Sequence, residues 1–309
     1  MSFYLFFDCD FFNIIIVMIL IKISIIIVLL QKIAEGAKEM KKIGFIGTGA
    51  MGTAMIKGII KADIVKPSDI YVYDLDVQKL NILCTESGVN AVADSVELVK
   101  ICDYVILAVK PNVVKTVLTE IKNVFFDEKV LISIAAGIPL KTYKNALGEM
   151  KKVIRALPNT PAIIGEGMTL ISFDDCVNND DLNDAMSILG ALGKVECMDE
   201  KLMSEVVALT SSSPAYIFML IEAMADAAVL SGIPRQTAYR LASQAVSGSA
   251  KMVAETGKHP GELKDQVCSP AGTTIEAVTS LEKNGFRSSI IEAMNECTKK
   301  AKELGKIYG

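Results

Sequence analysis

Gly47-Thr48-Gly49-Ala50-Met51-Gly52 decides how this chain is read. The stretch before it, Lys42-Ile43-Gly44-Phe45-Ile46, has the pattern of a short buried strand, and Ala50 to Lys61 after it favours helix. A G-x-G-x-x-G pattern acquires meaning only in that setting of strand, turn and helix. There Gly47 permits the tight turn, Gly49 lets the backbone approach a pyrophosphate, and Gly52 lets helix and strand pack closely. The free N–H groups at the start of the helix then face the phosphates. Ile70-Tyr71-Val72-Tyr73 reads as a second strand, and Asp74 ends it 22 positions after Gly52. An acid at about that distance commonly accepts from an adenosine ribose hydroxyl. The glycines alone are a weak sign; with strand, helix and acid around them they predict a dinucleotide site.

Outward from that turn, the chain from Met40 alternates strand and helix patterns, the mark of a mainly parallel, doubly wound sheet of Rossmann type. Val77 to Ser87 predicts a helix, and Asp94-Ser95 caps another over Val96 to Lys100. Tyr104 to Val109 is a continuous apolar run, as a central parallel strand requires. A helix from Val113 to Asn123 and strands at Val130 to Ile134 and Lys152 to Ala156 follow. Ligands of open parallel sheets lie beyond the carboxyl ends of the strands. Ala108 to Pro111, Ala135 to Gly137 and Pro158 to Pro161 therefore converge with the glycine turn on one crevice. Small residues there leave room for a flat ring; the plainer reading is that Pro and Gly only end strands.

After about Glu200 helix patterns take over. Leu202 to Gly232 reads as one long apolar helix that Pro214 kinks. Further helices are predicted from Ile233-Pro234 to Gly257, over Thr273 to Lys283, and over Phe286 to Leu304. A helix that is apolar on most sides has to be covered by neighbours, so a second, helical domain that dimerises is expected. The division is a leader at 1–39, a dinucleotide-binding domain at 40–199 and a helical domain at 200–309.

Composition removes several classes of function. With 309 residues, a net charge of -4 and a pI near 5.3, the chain has no basic field for nucleic acid. Its seven cysteines form no C-x-x-C pair, which fits neither a disulfide scaffold nor a zinc site and points to a reducing compartment, the cytoplasm. The single histidine, His259, beside Pro260, reads as a surface residue, and no metal site is expected. Residues 1–39 differ from the rest: Phe3 to Leu30 is almost wholly apolar, interrupted by Asp8, Asp10 and Lys22. The length approaches a bilayer span, although Lys22 at its middle would cost about 2.5–3.5 kcal/mol. A membrane anchor, an exported leader, or upstream sequence ahead of a start at Met40 are the three readings, and membrane contact follows only from the first.

A second chemical stretch is Cys268-Ser269-Pro270-Ala271-Gly272-Thr273-Thr274, just before a helix. Free N–H groups at a helix start, flanked by hydroxyls, suit an anion such as a carboxylate. The alternative is a simple capping box formed by Thr273 and Glu276. No strong acid or base stands there, so a reaction that fits uses a substrate carrying a carboxylate and an already electrophilic centre.

From Met40 to the C-terminus the sequence resembles the pyrroline-5-carboxylate reductase family. The likeness is carried by Phe45-Ile46-Gly47-Thr48-Gly49-Ala50-Met51, Ala108-Val109-Lys110-Pro111, Leu157-Pro158-Asn159-Thr160-Pro161-Ala162, Thr210 to Tyr216, and Leu263 to Thr274. It implies hydride transfer from NADH or NADPH to C5 of a cyclic imine, giving L-proline in the last step of proline synthesis. It implies cofactor contacts at Ile46, Gly47, Thr48, Gly49, Ala50 and Met51, with Asp74 and Ser95 near the adenosine. The strand ends Ala108, Val109, Lys110, Pro111, Ala136 and Gly137 complete the cofactor set. Ser269, Gly272, Thr273 and Thr274 would hold the substrate carboxylate, with the Thr274 hydroxyl at the ring nitrogen as the catalytic group. A homodimer or larger assembly, with an active site drawn from both subunits, is likewise implied. Asp74 stands where many relatives carry Ser, Thr or Asn, which tilts the expected cofactor toward NADH. Ser95 and Gln266 each stand where Asn is common. Two other readings are a hydroxyacid-dehydrogenase-type reductase, which usually needs a lysine in its helical domain, and a membrane-tethered dinucleotide-binding protein without turnover.

Overall fold

The structure is a computed structural model that describes Lys22 and residues 41–308. The apolar leader, with the membrane reading attached to it, lies outside the described residues. Residues 42–309 form one compact unit.

Eight strands make a single sheet in the order β3-β2-β1-β4-β5-β6-β7-β8. The first six are β1 (Ile43–Ile46), β2 (Ile70–Tyr73), β3 (Asn90–Ala91), β4 (Tyr104–Leu107), β5 (Val130–Ser133) and β6 (Lys152–Leu157). All six run parallel. Helices α1 (Ala50–Lys61), α2 (Val77–Ser87), α3 (Ser95–Ile101), α4 (Val114–Ile121) and α5 (Leu140–Leu147) connect them. Strands β1, β4 and β5 are buried at every position, the outcome of covering both faces with helices. Each fully buried side chain such as Ile43, Phe45 or Ile106 contributes roughly 1.5–3 kcal/mol. The Asp94 carboxylate caps α3 by accepting from Glu97 N at 2.7 Å, as its place before the apolar run requires. The chain runs outward from β1 through β2 to β3, then returns to β4 on the other side. That reversal opens a crevice at the carboxyl ends of β1 and β4.

Beyond β6 the sheet departs from the parallel pattern. Strand β7 (Gly167–Phe173) pairs antiparallel with β6, and β8 (Gly193–Cys197) pairs parallel with β7 after helix α6 (Asn179–Gly190). A parallel crossover needs a dozen or more residues. The link from β6 to β7 holds only a 3₁₀ turn, Thr160–Ile164, so the chain has to double back.

The helical part corrects one expectation. Pro214 does not kink a continuous helix. A π-helical turn, Val207–Ser211, ends first, and α7 (Ser213–Leu230) then begins with Pro214 in its opening turn, where a missing N–H costs nothing. Helices α8 (Arg235–Thr256), α9 (Pro260–Val267), α10 (Thr273–Lys283) and α11 (Phe286–Tyr308) follow. Helix α8 stops at Gly257, left-handed with φ 64°. His259 is exposed and caps α9, its Nδ1 accepting from Gly261 N at 3.0 Å.

Much apolar surface here is exposed among the described residues. Phe218 is 59 %, Met219 68 % and Leu230 90 % exposed. Residues 207–230 are long and apolar enough, by composition, to cross a membrane. Soluble monomers rarely leave such a surface in water.

Candidate active site

The three glycines of the opening turn separate by what surrounds them. Gly47 has φ +100°, and a Cβ there would lie 2.6 Å from the Ala108 carbonyl oxygen. A Cβ on Gly52 would lie 2.5 Å from the Gly47 oxygen. Both hold the turn against β4 and leave no room for a side chain. Gly49 is different: nothing lies within 4 Å of a Cβ built on it. It is exposed, and it precedes α1, whose start no side chain caps. An open backbone face before uncapped N–H groups is what a pyrophosphate needs.

Asp74 stands beside this turn. Its Oδ2 accepts from Thr48 N at 2.6 Å and from Thr48 Oγ1 at 2.9 Å, and its Oδ1 accepts from Asp76 N at 2.9 Å. Partial burial works to raise its pKa, but the N–H bonds from Asp76 and Thr48 outweigh it and leave the carboxyl below its usual value. A depressed carboxyl stays charged throughout the neutral and mildly acidic range. Dinucleotide affinity is therefore expected to be flat from pH 8 to 5.5 as far as Asp74 is concerned. A titration by cofactor fluorescence checks this, and a loss centred near pH 6 would contradict it. Ser95 lies inward: it is 2 % exposed and its hydroxyl donates to Glu120 at 2.8 Å. Of its polar groups the hydroxyl is thus already engaged within the chain.

The strand ends open on a cavity of about 370 Å³. Pro111, Ala136 and Gly137, anticipated from the sequence, line it, and so do Leu157, Val207 and Ser212. Helix α11 closes one side with Cys297, Lys300 and Leu304, and its Gly305 backbone packs toward Gly137. Ala108, Val109 and Lys110 follow directly on β4 without lining this cavity.

Arg155 was not anticipated. It is a buried cation in β6, 6 % exposed, and it lines the cavity. Glu200 Oε1 accepts from its Nη1 at 3.2 Å and from Leu140 N at 2.6 Å. One carboxylate thus joins the start of α5, strand β6 and the segment leading into the helices. The readable sign was a charge inside the strand pattern Lys152-Val153-Ile154-Arg155-Ala156, since buried charges are rarely without a partner. Below it, the Tyr143 hydroxyl lies 2.6 Å from Ser133 Oγ. Burial pushes Tyr143 up to about 12 against the opposing Ser133 bond, so it is a neutral structural group.

The second stretch is built differently from a capping box. Gly272, not Thr273, occupies the N-cap of α10, and no side chain caps that helix. The Thr273 and Thr274 side chains are therefore not used in capping, and Thr274 is half-buried. A Cβ on Gly272 would lie 2.3 Å from Ser269 Oγ, so a side chain there would turn that hydroxyl away. None of Ser269, Gly272, Thr273 and Thr274 lines the strand-end cavity of the same chain. The glycine turn lies at the same carboxyl edge of the sheet as the strand ends, and neither the turn nor the hydroxyl loop is among the residues that line the cavity.

A glycine turn open to a dinucleotide, a doubly wound sheet and a large bare helical face define the class: a dinucleotide-binding protein that works as an assembly. Comparison with known proteins narrows it. A family model described as pyrroline-5-carboxylate reductase dimerisation matches residues 200–304, and one described as NADP oxidoreductase, coenzyme F420-dependent, matches residues 42–137. The chain is 48 % identical over 266 residues to pyrroline-5-carboxylate reductase of Escherichia coli, covering 86 % of this chain and 99 % of that one. It is 41 % identical over 268 residues to the Arabidopsis thaliana enzyme, covering 87 % and 97 %. Among solved structures, the Coxiella burnetii reductase matches with TM-score 0.81 at 34 % identity, covering 86 % and 98 %. The Plasmodium falciparum pyrroline carboxylate reductase, solved with NADP bound, matches with TM-score 0.78 at 32 % identity, covering 86 % and 99 %. The chain belongs to the pyrroline-5-carboxylate reductase family. The bare helical face lies within the region that matches the dimerisation model, which supports a homo-oligomer, and the tethered, non-catalytic reading is not favoured.

Proposed function

We propose that the chain reduces 1-pyrroline-5-carboxylate to L-proline, the last step of proline synthesis, and that it favours NADH over NADPH. The observation that supports this most directly is the open Gly49 face at the uncapped start of α1, with the Asp74 carboxylate fixed beside it. The backbone N–H groups of Ala50 and Met51 hold a pyrophosphate there. Asp74 accepts from a free ribose hydroxyl and repels a 2′-phosphate. The strand ends Ala108 to Pro111, with Ala136 and Gly137, seat the nicotinamide, which when bound supplies the hydride. Ser269, Gly272 and Thr273 hold the substrate carboxylate, and the Thr274 hydroxyl is held at the ring nitrogen. A protonated imine is already electrophilic, so positioning supplies most of the acceleration and no strong acid is required.

The hydroxyl loop is not among the residues lining the cavity of its own chain, which supports a site completed by the loop of a second copy. Residues 40–199 then act as the dinucleotide domain and 200–309 as the substrate and dimerisation domain. The six described cysteines are free thiols, the state a reducing cytoplasm maintains.

The test is proline formation from pyrroline-5-carboxylate, measured with each nicotinamide. NADH should give the higher kcat/KM, and Asp74→Ser should shift the ratio toward NADPH by roughly tenfold, about 1.4 kcal/mol. An unmodified chain that prefers NADPH tenfold or more overturns the cofactor reading. Absence of proline with either overturns the reaction itself.

A further inference from the structure

Asn159 belongs to the Leu157-Pro158-Asn159-Thr160-Pro161 segment, whose chemistry the proposed reaction does not use. It stands at the N-cap of the 3₁₀ turn Thr160–Ile164, yet its side chain makes no capping bond. Asparagine at such a position usually turns back on its own backbone. Here the amide reaches outward in two directions. Nδ2 donates to the Thr210 carbonyl at 3.0 Å, and Oδ1 accepts from Met168 N at 2.9 Å. Both ends are engaged, which fixes which way the amide faces.

Thr210 lies inside the π-helical turn Val207–Ser211, where Ser212 N donates back to Val207 O at 2.9 Å. A π turn is an uncommon element, found frequently at functional sites. Val207 at its start and Ser212 just after its end line the strand-end cavity, as do Ala136 and Gly137. Ser212 Oγ in turn lies 3.1 Å from Cys297 Sγ on α11. The Asn159 amide is thus the tie between the β6–β7 end of the sheet and the turn that walls the cavity.

We propose that Asn159 is a positioning residue for hydride transfer: by holding the Thr210 carbonyl it sets the π turn, and so the distance between the Val207–Ser212 wall and the strand ends. It touches no reactant and acts through the backbone it holds. The inference rests on the reading that this cavity is where hydride passes.

The test is Asn159→Asp in the full chain. The carboxylate keeps an acceptor for Met168 N but presents a lone pair to the Thr210 carbonyl. When protonated, the same side chain donates to that carbonyl and restores the tie. At pH 8 the variant should lose roughly tenfold to a hundredfold in kcat, while its dinucleotide Kd stays within about twofold of the parent. The deficit relative to the parent should shrink as the pH falls toward 5, because the neutral acid is then more populated. A purely structural lesion would not recover in that direction. An unchanged kcat overturns the proposal, as does a pH-independent loss in which melting temperature and dinucleotide affinity fall together. Should the Asp variant not fold, Asn159→Ala carries the same comparison of kcat against dinucleotide affinity, without the recovery. Hydrogen exchange of the Ser212 amide is the arm that needs no turnover. Faster exchange in the variant supports the tie even if proline formation fails, and unchanged exchange removes it.

Discussion

A Gly49→Ala chain folds and assembles like its parent and binds dinucleotide at least roughly tenfold more weakly, a loss of about 1.4 kcal/mol. The backbone at Gly49, φ -62° and ψ -174°, is open to alanine. No atom lies within 4 Å of the new methyl, so the folded state is not strained. Replacing glycine where its conformation suits alanine usually stabilises by about 0.4–1 kcal/mol, through the unfolded chain. The variant should therefore melt no lower than the parent while losing its cofactor. Gly52→Ala gives the opposite pair of results. Alanine is the better helix former by about 1 kcal/mol, but its methyl would lie 2.5 Å from the Gly47 carbonyl oxygen. Helix α1 has to lift off the turn, and overpacking of that kind costs about 1–3 kcal/mol. Sterics outweigh propensity, and the melting temperature falls. Melting curves and cofactor titrations on both variants decide the matter. Gly49→Ala with undiminished affinity would mean that no pyrophosphate passes there.

The second large effect concerns the hydroxyl loop. Thr274→Val keeps the shape at the second residue of α10 and removes the hydroxyl. It should lower kcat by roughly 10²-fold, the usual scale for losing a positioned proton-bearing group, with dinucleotide affinity intact. Its more telling use is in mixtures. Co-expressed with a Gly49→Ala chain and assayed at dinucleotide well below that chain's Kd, it forms mixed dimers in which one composite site holds an intact turn and an intact loop. Statistical pairing then restores activity to about a quarter of the parent's. If each chain served its own loop, no mixture would exceed the sum of the two variants, and the two-subunit site would be abandoned.

What could be read in advance divides by the range of the physics. The glycine turn, the Asp94 cap and the Gly257 stop depend on a few adjacent residues, and each was visible as such. The small residues at the ends of β4 and β5 were legible because a parallel sheet always presents those ends to its ligand. The reversal of β7 was not, since strand direction is set by the length of the connection and not by the strand's own residues. Pro214 was misread for a related reason: a proline in an apolar run marks a kink and a helix start alike. Arg155, Glu200 and Asn159 act through partners 45, 60 and 51 positions away, and no local pattern announces such a pairing. The role proposed for Thr274 comes from resemblance, and that it does not line the cavity of its own chain appears only once the chain is folded.

Helix α7 carries a last consequence. Its outward residues reproduce the arithmetic of a lipid-crossing segment, yet the relief they await is a copy of themselves. Folding and association are then one equilibrium, so robustness toward heat or urea should climb with protein concentration. In a cell, gene dosage becomes a structural variable: a scarce chain leaves its greasiest helix open to proteases, whereas an abundant one conceals it.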